Sequence, residues 1–434
     1  MIRRGSGAAG GSACRVRRAA AVWLTSVLFL MGYHSAQAEL VALEIFEREP
    51  FADGAEFGEV GRYERIRGLA RFAVDPDHPR NAAIVDLKLA PRNAEGKVEF
   101  EADVFILAPR DSSKANGAIL YDVNNRGRKL ALRFFNRAPD SNDPHALAHA
   151  GDGYLLRRGY TIVWSGWIGE LLPGDGRMLL RAPVATENGT PIRGIVRYEM
   201  VANEPAETQP LSRREGHGSY RPTERGEAEG VLTWKMRQTD PRVVIPREQW
   251  SLERKPVETV ERGAAGTLGQ VRLRVAGGFR PGSIYELVCE AEGPIVQGVG
   301  YASVRDLISF LKYDQSARNP LRTPNGKSPI DRAHGFGVSQ SGRFLRNYLH
   351  LGFNADERDR KVFDGVIPHV AGAGLGFFNH RFAQPTRHNG QHEEHEYPSD
   401  RFPFTYGDDS DPFTKRTDGI LHVMTGKDAR FLPR

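Results

Sequence analysis

Apolar and polar positions alternate through much of the chain between residues 41 and 110, as they do in strands that bury one face. Residues 99–108 alternate in this way before Pro109, and residues 63–74 and 83–89 are further candidate strands. Strands that follow one another directly are typical of antiparallel pairing. The chain is therefore expected to open with antiparallel strands.

Beyond residue 110, strand patterns alternate with helix patterns. Residues 117–123 and 160–164 are short apolar strands, and residues 152–158 between them have the pattern of a short helix. Strands separated by helices are typical of a parallel sheet. We therefore expect an α/β fold with a mostly parallel sheet, flanked by helices and preceded by the antiparallel strands.

This alternation stops between about residues 174 and 281. The segment is rich in Pro, Arg, Glu and Thr, with short strand-like runs at residues 194–201 and 270–275. We expect an inserted, mostly β subdomain here. For residues 204–229, where charges are dense and apolar residues few, a partly disordered insertion is the alternative.

A helix pattern at residues 301–313 precedes the most informative stretch of the chain. Its apolar residues recur at spacings of three and four, at Val304, Leu307, Ile308 and Leu311. A loop follows at residues 319–329, and a short apolar strand then leads to Ser339. After Ser339 comes a second helical face, which ends at Gly352. Ser339 is therefore expected at the junction of a strand and a helix.

The pentapeptide Gly337-Val338-Ser339-Gln340-Ser341 fits the small-x-Ser-x-small pattern of a nucleophile elbow. Such a strained turn admits only small residues two positions to either side and directs the serine hydroxyl into solvent above the sheet. The alternative is that the two serines are helix N-caps. An N-cap explains one serine but not the surrounding glycines, so the pattern favours Ser339 as a nucleophile.

The first 38 residues have the pattern of a secretory signal peptide. A region with five arginines precedes an apolar run at residues 19–31, and a small-x-small site follows at Ala36-Gln37-Ala38. The run is short for a bilayer span, and an uncleaved N-terminal anchor is the alternative. We expect cleavage after Ala38, a periplasmic or secreted location, and no membrane attachment of the mature chain.

Removal of this segment changes the charge and the cysteine content. It takes five arginines and no acids from a formal charge of +6, which leaves +1 (6 − 5). Charges that alternate in sign, without a basic stripe carrying aromatic residues, argue against a nucleic-acid partner. Cys289 becomes the sole cysteine, so the mature chain can form no intramolecular disulfide.

Several phrases of this sequence resemble the α/β-hydrolase superfamily, and more closely the exported bacterial α/β hydrolase domain-containing proteins. These phrases are residues 121–127, 153–160, 164–167, 337–344 and 363–365. The resemblance implies one α/β-hydrolase domain over residues 39–434 that includes the 174–281 insertion. It also implies a lid-like segment at about residues 374–412, where aromatic residues cluster, although core packing explains these aromatics equally well.

The resemblance also implies a site that needs no cofactor. In such enzymes the elbow serine, here Ser339, attacks an acyl carbonyl, and two backbone N–H groups hold the oxyanion. One donor is the residue after the serine, here Gln340. The other comes from a loop in the place of Asn124-Asn125-Arg126-Gly127, so Asn125, Arg126 and Gly127 are its candidates. An ordinary polar turn is the alternative for this loop.

The family pattern also requires an acid and a histidine after the serine, in that order. The last residue, 434, lies 95 residues after Ser339, and the matching phrases fade by about residue 419. Three explanations compete: the chain is a fragment, a resident histidine serves as the base, or catalysis has been lost. The resident candidates are His369 and His422 for the base and Asp428 for the acid.

A second group of polar residues lies at 388–396, with three histidines and three glutamates. On a helix His388, His392 and His395 would share one face, as in some zinc sites. Asn389-Gly390 disfavours a helix, however, and prolines bracket the segment. A solvated or lid loop without metal is the favoured interpretation.

These patterns predict an exported serine hydrolase that cleaves carboxylic esters through an acyl-enzyme on Ser339, with a small-molecule ester as its substrate. Two alternatives stay open. One is a non-catalytic or truncated α/β-hydrolase-fold protein that binds a ligand. The other is metal-dependent hydrolysis through the cluster at residues 388–396.

Overall fold

The computed structural model describes residues 40–212, 214–255, 268–388, 401–424 and 426–433. From residue 40 to residue 181 the chain forms β1 (Leu40–Pro50), β2 (Tyr63–Val74), β3 (Val98–Pro109), β4 (Ala118–Val123), β5 (Thr161–Ser165) and β6 (Leu180–Arg181). Two short helices, α1 (Ala131–Asn136) and α2 (Tyr154–Arg157), lie between β4 and β5. The strands predicted at residues 63–74, 99–108, 117–123 and 160–164 and the helix predicted at 152–158 are thus confirmed.

The middle of the chain is almost entirely β. Its strands are β7 (Thr186–Glu187), β8 (Thr190–Pro191), β9 (Arg193–Val201), β10 (Ala206–Pro210), β11 (Ser219–Pro222), β12 (Val231–Lys235), β13 (Val243–Ile245), β14 (Trp250–Lys255), β15 (Leu268–Phe279) and β16 (Ile284–Glu292). Helix α3 (Glu224–Ala228) lies between β11 and β12. Residues 204–229 therefore contain strands and a helix.

The chain then returns to alternating helices and strands. The elements are α4 (Val299–Tyr313), β17 (Arg332–Val338), α5 (Gln340–His350), β18 (Gly365–His369), α6 (Pro385–His388), β19 (Asp409–Ser410) and β20 (Thr417–Asp418). Short 3₁₀ turns occur at Ala52–Gly54, Gly58–Val60, Pro79–Asn81, Leu87–Leu89, Ser112–Lys114, Leu147–Ala150, Arg247–Gln249, His422–Met424 and Gly426–Phe431. The predicted helix at residues 301–313 and the strand before Ser339 are confirmed.

The first sheet has the strand order β1-β2-β3-β5-β4-β17-β18, with β6 paired to β3. Strands β4, β5, β17 and β18 are parallel to their neighbours in this group. Gly337 of β17 lies opposite Val123 of β4, and Val338 lies opposite His369 of β18. The carboxyl ends of these strands therefore meet at one edge of the sheet, where Ser339 follows β17.

The sheet is mixed rather than mostly parallel, which corrects the expectation from the sequence. Strands β1, β2 and β3 pair antiparallel, and β3 pairs antiparallel with β5 as well. The antiparallel opening is thus joined directly to the parallel half, because Val104 of β3 lies opposite Ser165 of β5. The sequence predicts the strands but not which strands pair with one another.

Side chains on the two faces of this sheet alternate along each strand, as the pleat requires. In β3, Val104 and Ile106 join a core that includes residues of α4 and α5. Phe105 and Leu107 face the other way and join a core with residues of α1 and α2. Helices therefore cover both faces of the sheet.

The second sheet has the order β10-β15-β11-β16-β12-β13, with β14 on β15 and β9 on β16. It extends from Arg193 to Glu292, so its limits differ from the insertion predicted at residues 174–281. Strand β6, which falls inside that predicted range, belongs to the first sheet. Side chains of the second sheet and of α4 belong to one continuous core.

Residues 83–89 do not form the predicted strand. They form turns that end in a 3₁₀ turn, with Ile84 and Leu87 buried three residues apart. The carbonyl of Ala83 and the N–H of Val85 bond to the side chain of Asn379, at 2.7 and 3.0 Å. A side chain distant in sequence thus satisfies the backbone groups that a neighbouring strand would otherwise take.

In the part of the chain that the structure describes, every helix is too short or too polar to cross a bilayer. The predicted signal peptide, residues 1–38, lies outside the described residues. Its cleavage and the export of the chain therefore stay predictions.

Candidate active site

Ser339 occupies a sharp turn between β17 and α5. Its backbone has φ 58° and ψ −109°, a conformation that residues other than glycine rarely adopt and that costs roughly 1–3 kcal/mol. Its N–H donates to the carbonyl of His369 at 2.9 Å, which ties the turn to the end of β18. The residue itself is exposed, whereas Gln340 after it is buried. This is the geometry of a nucleophile elbow.

The neighbours of Ser339 show why the turn requires small residues. A Cβ on Gly337 would lie 2.4 Å from the carbonyl oxygen of Ser341, and one on Gly342 would lie 2.9 Å from the carbonyl oxygen of Gly337. The Ser341 hydroxyl donates to the carbonyl of Val338 at 3.0 Å and lies 3.2 Å from the Val338 N–H. Ser341 is therefore a structural brace of the turn.

The loop after β4 lies against the elbow. Asn125 donates from its side chain to the carbonyl of Val338 at 2.8 Å. The N–H of Asn125 donates to the carbonyl of Arg128 at 3.0 Å, and the N–H of Gly127 donates to the Asn124 side chain at 3.0 Å. These two amides therefore hold the loop in its tight turn. Gln340 begins α5, so its N–H is among those that a helix start leaves without an intrahelical partner.

Asp122 anchors this loop from below. Its carboxylate accepts hydrogen bonds from the N–H groups of Leu130 and Ala131 and from the indole of Trp164, at 2.6–2.7 Å. Burial raises the pKa of this carboxyl to about 6, against these hydrogen bonds and the charge of Lys129, which lower it. The sequence interpretation assigned Asp122 no role, since an acid at the end of a strand looks like any other turn residue.

Lys129 lies in the same loop and is buried. Its ammonium group donates to the carbonyl oxygens of Asn142 and Gly176 and lies 4.7 Å from the centre of the Phe105 ring. Burial lowers the pKa of Lys129 to about 7. Asp122, whose pKa is raised, and Lys129, whose pKa is lowered, thus both hold the loop that faces Ser339.

Helix α6 and the residues before it lie over the elbow. The side chain of Gln340 donates to the carbonyl of Pro385 at 2.7 Å, and the N–H of Thr386 donates to the carboxylate of Glu170. On the other side, the hydroxyl of Tyr220 donates to the carbonyl of Ala383 at 2.8 Å. This segment therefore connects the elbow with the second sheet.

Glu170 and Tyr220 were missed by the sequence interpretation. A signal existed for Glu170, because it is the sole charge in the otherwise apolar run of residues 167–172. The structure shows it buried. Tyr220 carried no such signal, because it lies in a segment dense in charges.

His369 lies next to Ser339 along the edge of the sheet. Its carbonyl accepts the Ser339 N–H, and its ring packs edge-on against Phe134, with centroids 5.4 Å apart. It also lies 6.4 Å from the ring of Phe336. The structure thus brings His369 to the elbow, on the side of α1.

His422 and Asp428 lie elsewhere. His422 pairs with Asp408 at 2.9 Å, and Val423 beside it lies against Gly352, just beyond the last residue of α5. Since α5 has 11 residues, its two ends are about 15 Å apart, which separates His422 from Ser339. Asp428 accepts a hydrogen bond of 3.3 Å from Arg80. The structure does not bring either residue to the elbow.

The histidine cluster is the last group predicted from the sequence. His392 and His395, and the side chain of His388, lie outside the described residues. Within the described residues, no group of three or more His, Cys, Asp or Glu side chains is arranged to hold a metal ion.

Comparison with known proteins bears on the segment that carries the elbow. Residues 268–429 match a family model described as an alpha/beta hydrolase domain. No curated protein and no solved structure matches the chain. The matched segment includes β17, Ser339, α5 and β18, and it confirms the resemblance found in the sequence. This match and the strand–serine–helix turn within it support the similarity of the chain to the α/β-hydrolase superfamily.

Proposed function

We propose that this protein is a serine hydrolase that cleaves carboxylic esters through an acyl-enzyme on Ser339. The observation that carries the proposal is the backbone of Ser339, held at φ 58° and exposed between β17 and α5. A serine is kept in so strained a conformation where the surrounding structure requires it, and such residues cluster at active sites. A helix N-cap would not need it.

In the proposed reaction the Ser339 oxygen attacks the ester carbonyl, and the Gln340 N–H holds the negative charge that develops on the carbonyl oxygen. The N–H groups of Asn125 and Gly127 bond within their own loop, so Arg126 is the predicted second donor to test there. The alcohol leaves with a proton, and water then attacks the acyl-enzyme to release the acid. A base must accept the serine proton. Of the two resident histidines considered, His369 lies beside the elbow and is the one to test first.

The residues around α6 are proposed as a cover over the acyl group. Their contacts support this role, since Gln340 bonds Pro385 and Tyr220 bonds Ala383. Phe382 adds apolar surface and packs edge-on against Tyr220, with ring centroids 5.0 Å apart. A cover excludes water from the oxyanion, which strengthens the hydrogen bonds that stabilise it.

Export is proposed on the sequence pattern of residues 1–38 alone. Intact-mass and N-terminal analysis of the protein from a periplasmic or culture fraction tests it. A chain that begins at residue 39 supports export and cleavage. A chain that stays in the cytosol with an intact N-terminus contradicts both.

The experiment that tests the activity is labelling with a fluorophosphonate, which reacts with activated serines, followed by peptide mapping. We expect an adduct on Ser339 and hydrolysis of a short-chain 4-nitrophenyl ester by the wild type but not by Ser339→Ala. Far-UV circular dichroism of both proteins controls for folding. Absence of an adduct on a folded wild-type protein would contradict the proposal and favour a ligand-binding protein of the same fold.

A further inference from the structure

Trp167 lies between the loop of residues 124–127 and helix α5, the two parts of the proposed oxyanion site. Its side chain is buried, and its indole N–H donates to the carbonyl of Asn124 at 2.8 Å. Its ring packs against the ring of Phe344 in α5, with centroids 4.3 Å apart. A single buried side chain therefore contacts both the loop and the helix.

The carbonyl that Trp167 holds belongs to the peptide bond that begins the loop. The N–H of the same peptide bond, on Asn125, donates within the loop at 3.0 Å. The side chain of Asn124 donates to the carbonyl of Ser165 at 2.6 Å and accepts the N–H of Gly127 at 3.0 Å. This peptide is thus bonded through both of its polar groups, and its orientation determines where the amides that follow it point.

The backbone of Trp167 is fixed as well. Its carbonyl accepts a hydrogen bond of 2.8 Å from the side-chain amide of Gln297, and the oxygen of that amide accepts the N–H of Gly169 at 2.9 Å. Gly300, near the start of α4, lies so close to the Trp167 carbonyl that a Cβ there would overlap with it. These contacts leave Trp167 little room to move relative to α4.

Core packing explains the ring of Trp167 but not the bond of its N–H. Trp250 of β14 provides the comparison, because it is also buried. Among the residues that the structure describes, the indole nitrogen of Trp250 has no hydrogen-bond partner. This fold therefore accommodates a buried indole that bonds nothing, whereas the indole of Trp167 bonds the loop beside the elbow.

The two contacts of Trp167 reach both sides of the reactive serine. The loop follows β4 and Ser339 follows β17, and these two strands are neighbours in the sheet. Helix α5 begins at Gln340, whose N–H is the first proposed oxyanion donor. The separation between this N–H and the loop therefore depends on the side chain that lies between the loop and α5.

We propose that Trp167 is a positioning residue of the reaction: it sets the distance between the Gln340 N–H and the loop of residues 124–127, so that both reach one carbonyl oxygen as its charge develops. This inference rests on the proposed function for its effect on catalysis, but the effect of Trp167 on the loop stands without it. Oxyanion donors act through geometry, and a displacement of about 1 Å can cost about 10²-fold in rate.

The kinetic test compares Trp167→Phe with Trp250→Phe. The first variant keeps a ring beside Phe344 but loses the bond to Asn124, whereas the second makes the same change at an indole that bonds nothing. With 4-nitrophenyl butyrate we expect kcat to fall at least about tenfold in Trp167→Phe and KM to stay within about twofold, because the loop acts on the transition state. Trp250→Phe should keep both constants. If Trp167→Phe does not fold, replacement of Trp167 by benzothienylalanine keeps the shape of the indole and removes only the N–H donor.

A sulfur substitution in the substrate separates a displaced oxyanion site from a general loss of structure. In the thionoester the oxygen that takes up the charge is replaced by sulfur, which is larger and accepts hydrogen bonds more weakly, so its reaction gains less from oxyanion donors. The ratio of kcat/KM for 4-nitrophenyl butyrate to kcat/KM for its thiono analogue should fall about tenfold in Trp167→Phe and not in Trp250→Phe. An unchanged ratio in Trp167→Phe, or an equal fall in both variants, overturns the proposal.

Hydrogen–deuterium exchange of residues 123–130 tests the positioning without any catalysis. The N–H groups of Asn125 and Gly127 are bonded within the loop, so we expect them to exchange faster in Trp167→Phe but not in Trp250→Phe. Faster exchange in Trp167→Phe supports the positioning of the loop even if the wild type hydrolyses no ester, which would contradict the proposed function alone. Unchanged exchange and unchanged kcat in Trp167→Phe, with an active wild type, overturn this inference alone.

Discussion

The side chain of Asn125 donates a hydrogen bond of 2.8 Å to the carbonyl of Val338, a residue 213 positions further along the chain. This bond joins the loop after β4 to the turn after β17. The two parts of the proposed oxyanion site are therefore one structural unit. Hydrogen bonds to the Asp122 carboxylate and to the carbonyl of Pro385 in α6 also hold it in place.

The strain at Ser339 predicts opposite effects on stability and activity. Ser339→Gly removes the side chain that makes φ 58° unfavourable and should raise the free energy of unfolding by about 1 kcal/mol over Ser339→Ala. Both variants should lose ester hydrolysis. Urea unfolding of the two proteins measures the difference. Equal stability would mean that the turn relaxes without cost.

The crowding at the elbow predicts that Gly337 tolerates no side chain. Gly337→Ala places a Cβ 2.4 Å from backbone, so we expect a loss of several kcal/mol or a displaced turn without labelling of Ser339. Gly335→Ala is the matched control, because its nearest neighbour is the side-chain end of Leu345 at 3.1 Å. Thermal unfolding and labelling of both variants test this. Similar behaviour of the two would contradict it.

The raised pKa of Asp122 predicts how stability depends on pH. Its ordinary value of 3.8 applies to the unfolded chain, and about 6 applies to the folded one. Between pH 4 and pH 6 the folded state therefore binds more protons than the unfolded state, so the contribution of Asp122 to stability falls as pH rises, by about 3 kcal/mol. Above pH 6 it should stay constant.

Urea unfolding of the wild type and Asp122→Asn at pH 4, 5, 6 and 7 measures this dependence. The free-energy difference between the two proteins should change over pH 4–6 and level off above. Lys129 does not interfere below pH 7, because its lowered pKa of about 7 affects stability between pH 7 and its ordinary value of 10.5, where stability rises with pH. A difference independent of pH would contradict the raised pKa.

The position of His369 predicts its effect on catalysis. His369→Phe keeps an aromatic ring against Phe134 and leaves the carbonyl that holds the Ser339 N–H, but it removes the proposed base. We expect kcat to fall by about 10²-fold or more. His422→Phe should leave kcat unchanged, since His422 lies at the far end of α5. Full activity of His369→Phe would exclude His369 as the base.

The proposed acyl-enzyme predicts that hydrolysis does not depend on a metal. Ester hydrolysis should persist after dialysis against a chelator and should not increase when zinc is added. The comparison also tests the histidine cluster at residues 388–396. Activity that is lost with chelator and restored by zinc would favour the metal-dependent alternative.

Most elements of the first sheet could be predicted from the sequence, because hydrophobic period depends on local pattern alone. Strand β2 was predicted with its observed limits, and α4 within two residues. The strand prediction for residues 83–89 was wrong because their backbone bonds to the side chain of Asn379, which lies almost 300 positions away. The antiparallel pairing of β3 with β5 was missed for the same reason, since strand patterns do not encode partners.

The elbow itself was determined by the sequence, because a strained turn permits only small residues around one serine. That restriction concerns five adjacent positions, residues 337–341, and is therefore visible in the local sequence. The tertiary structure alone decided what surrounds the serine. It brought Asn125 and Pro385 to the elbow, placed His369 beside it, and carried His422 and Asp428 away. These relations depend on how sheets and loops pack across hundreds of residues, and no local pattern specifies such packing.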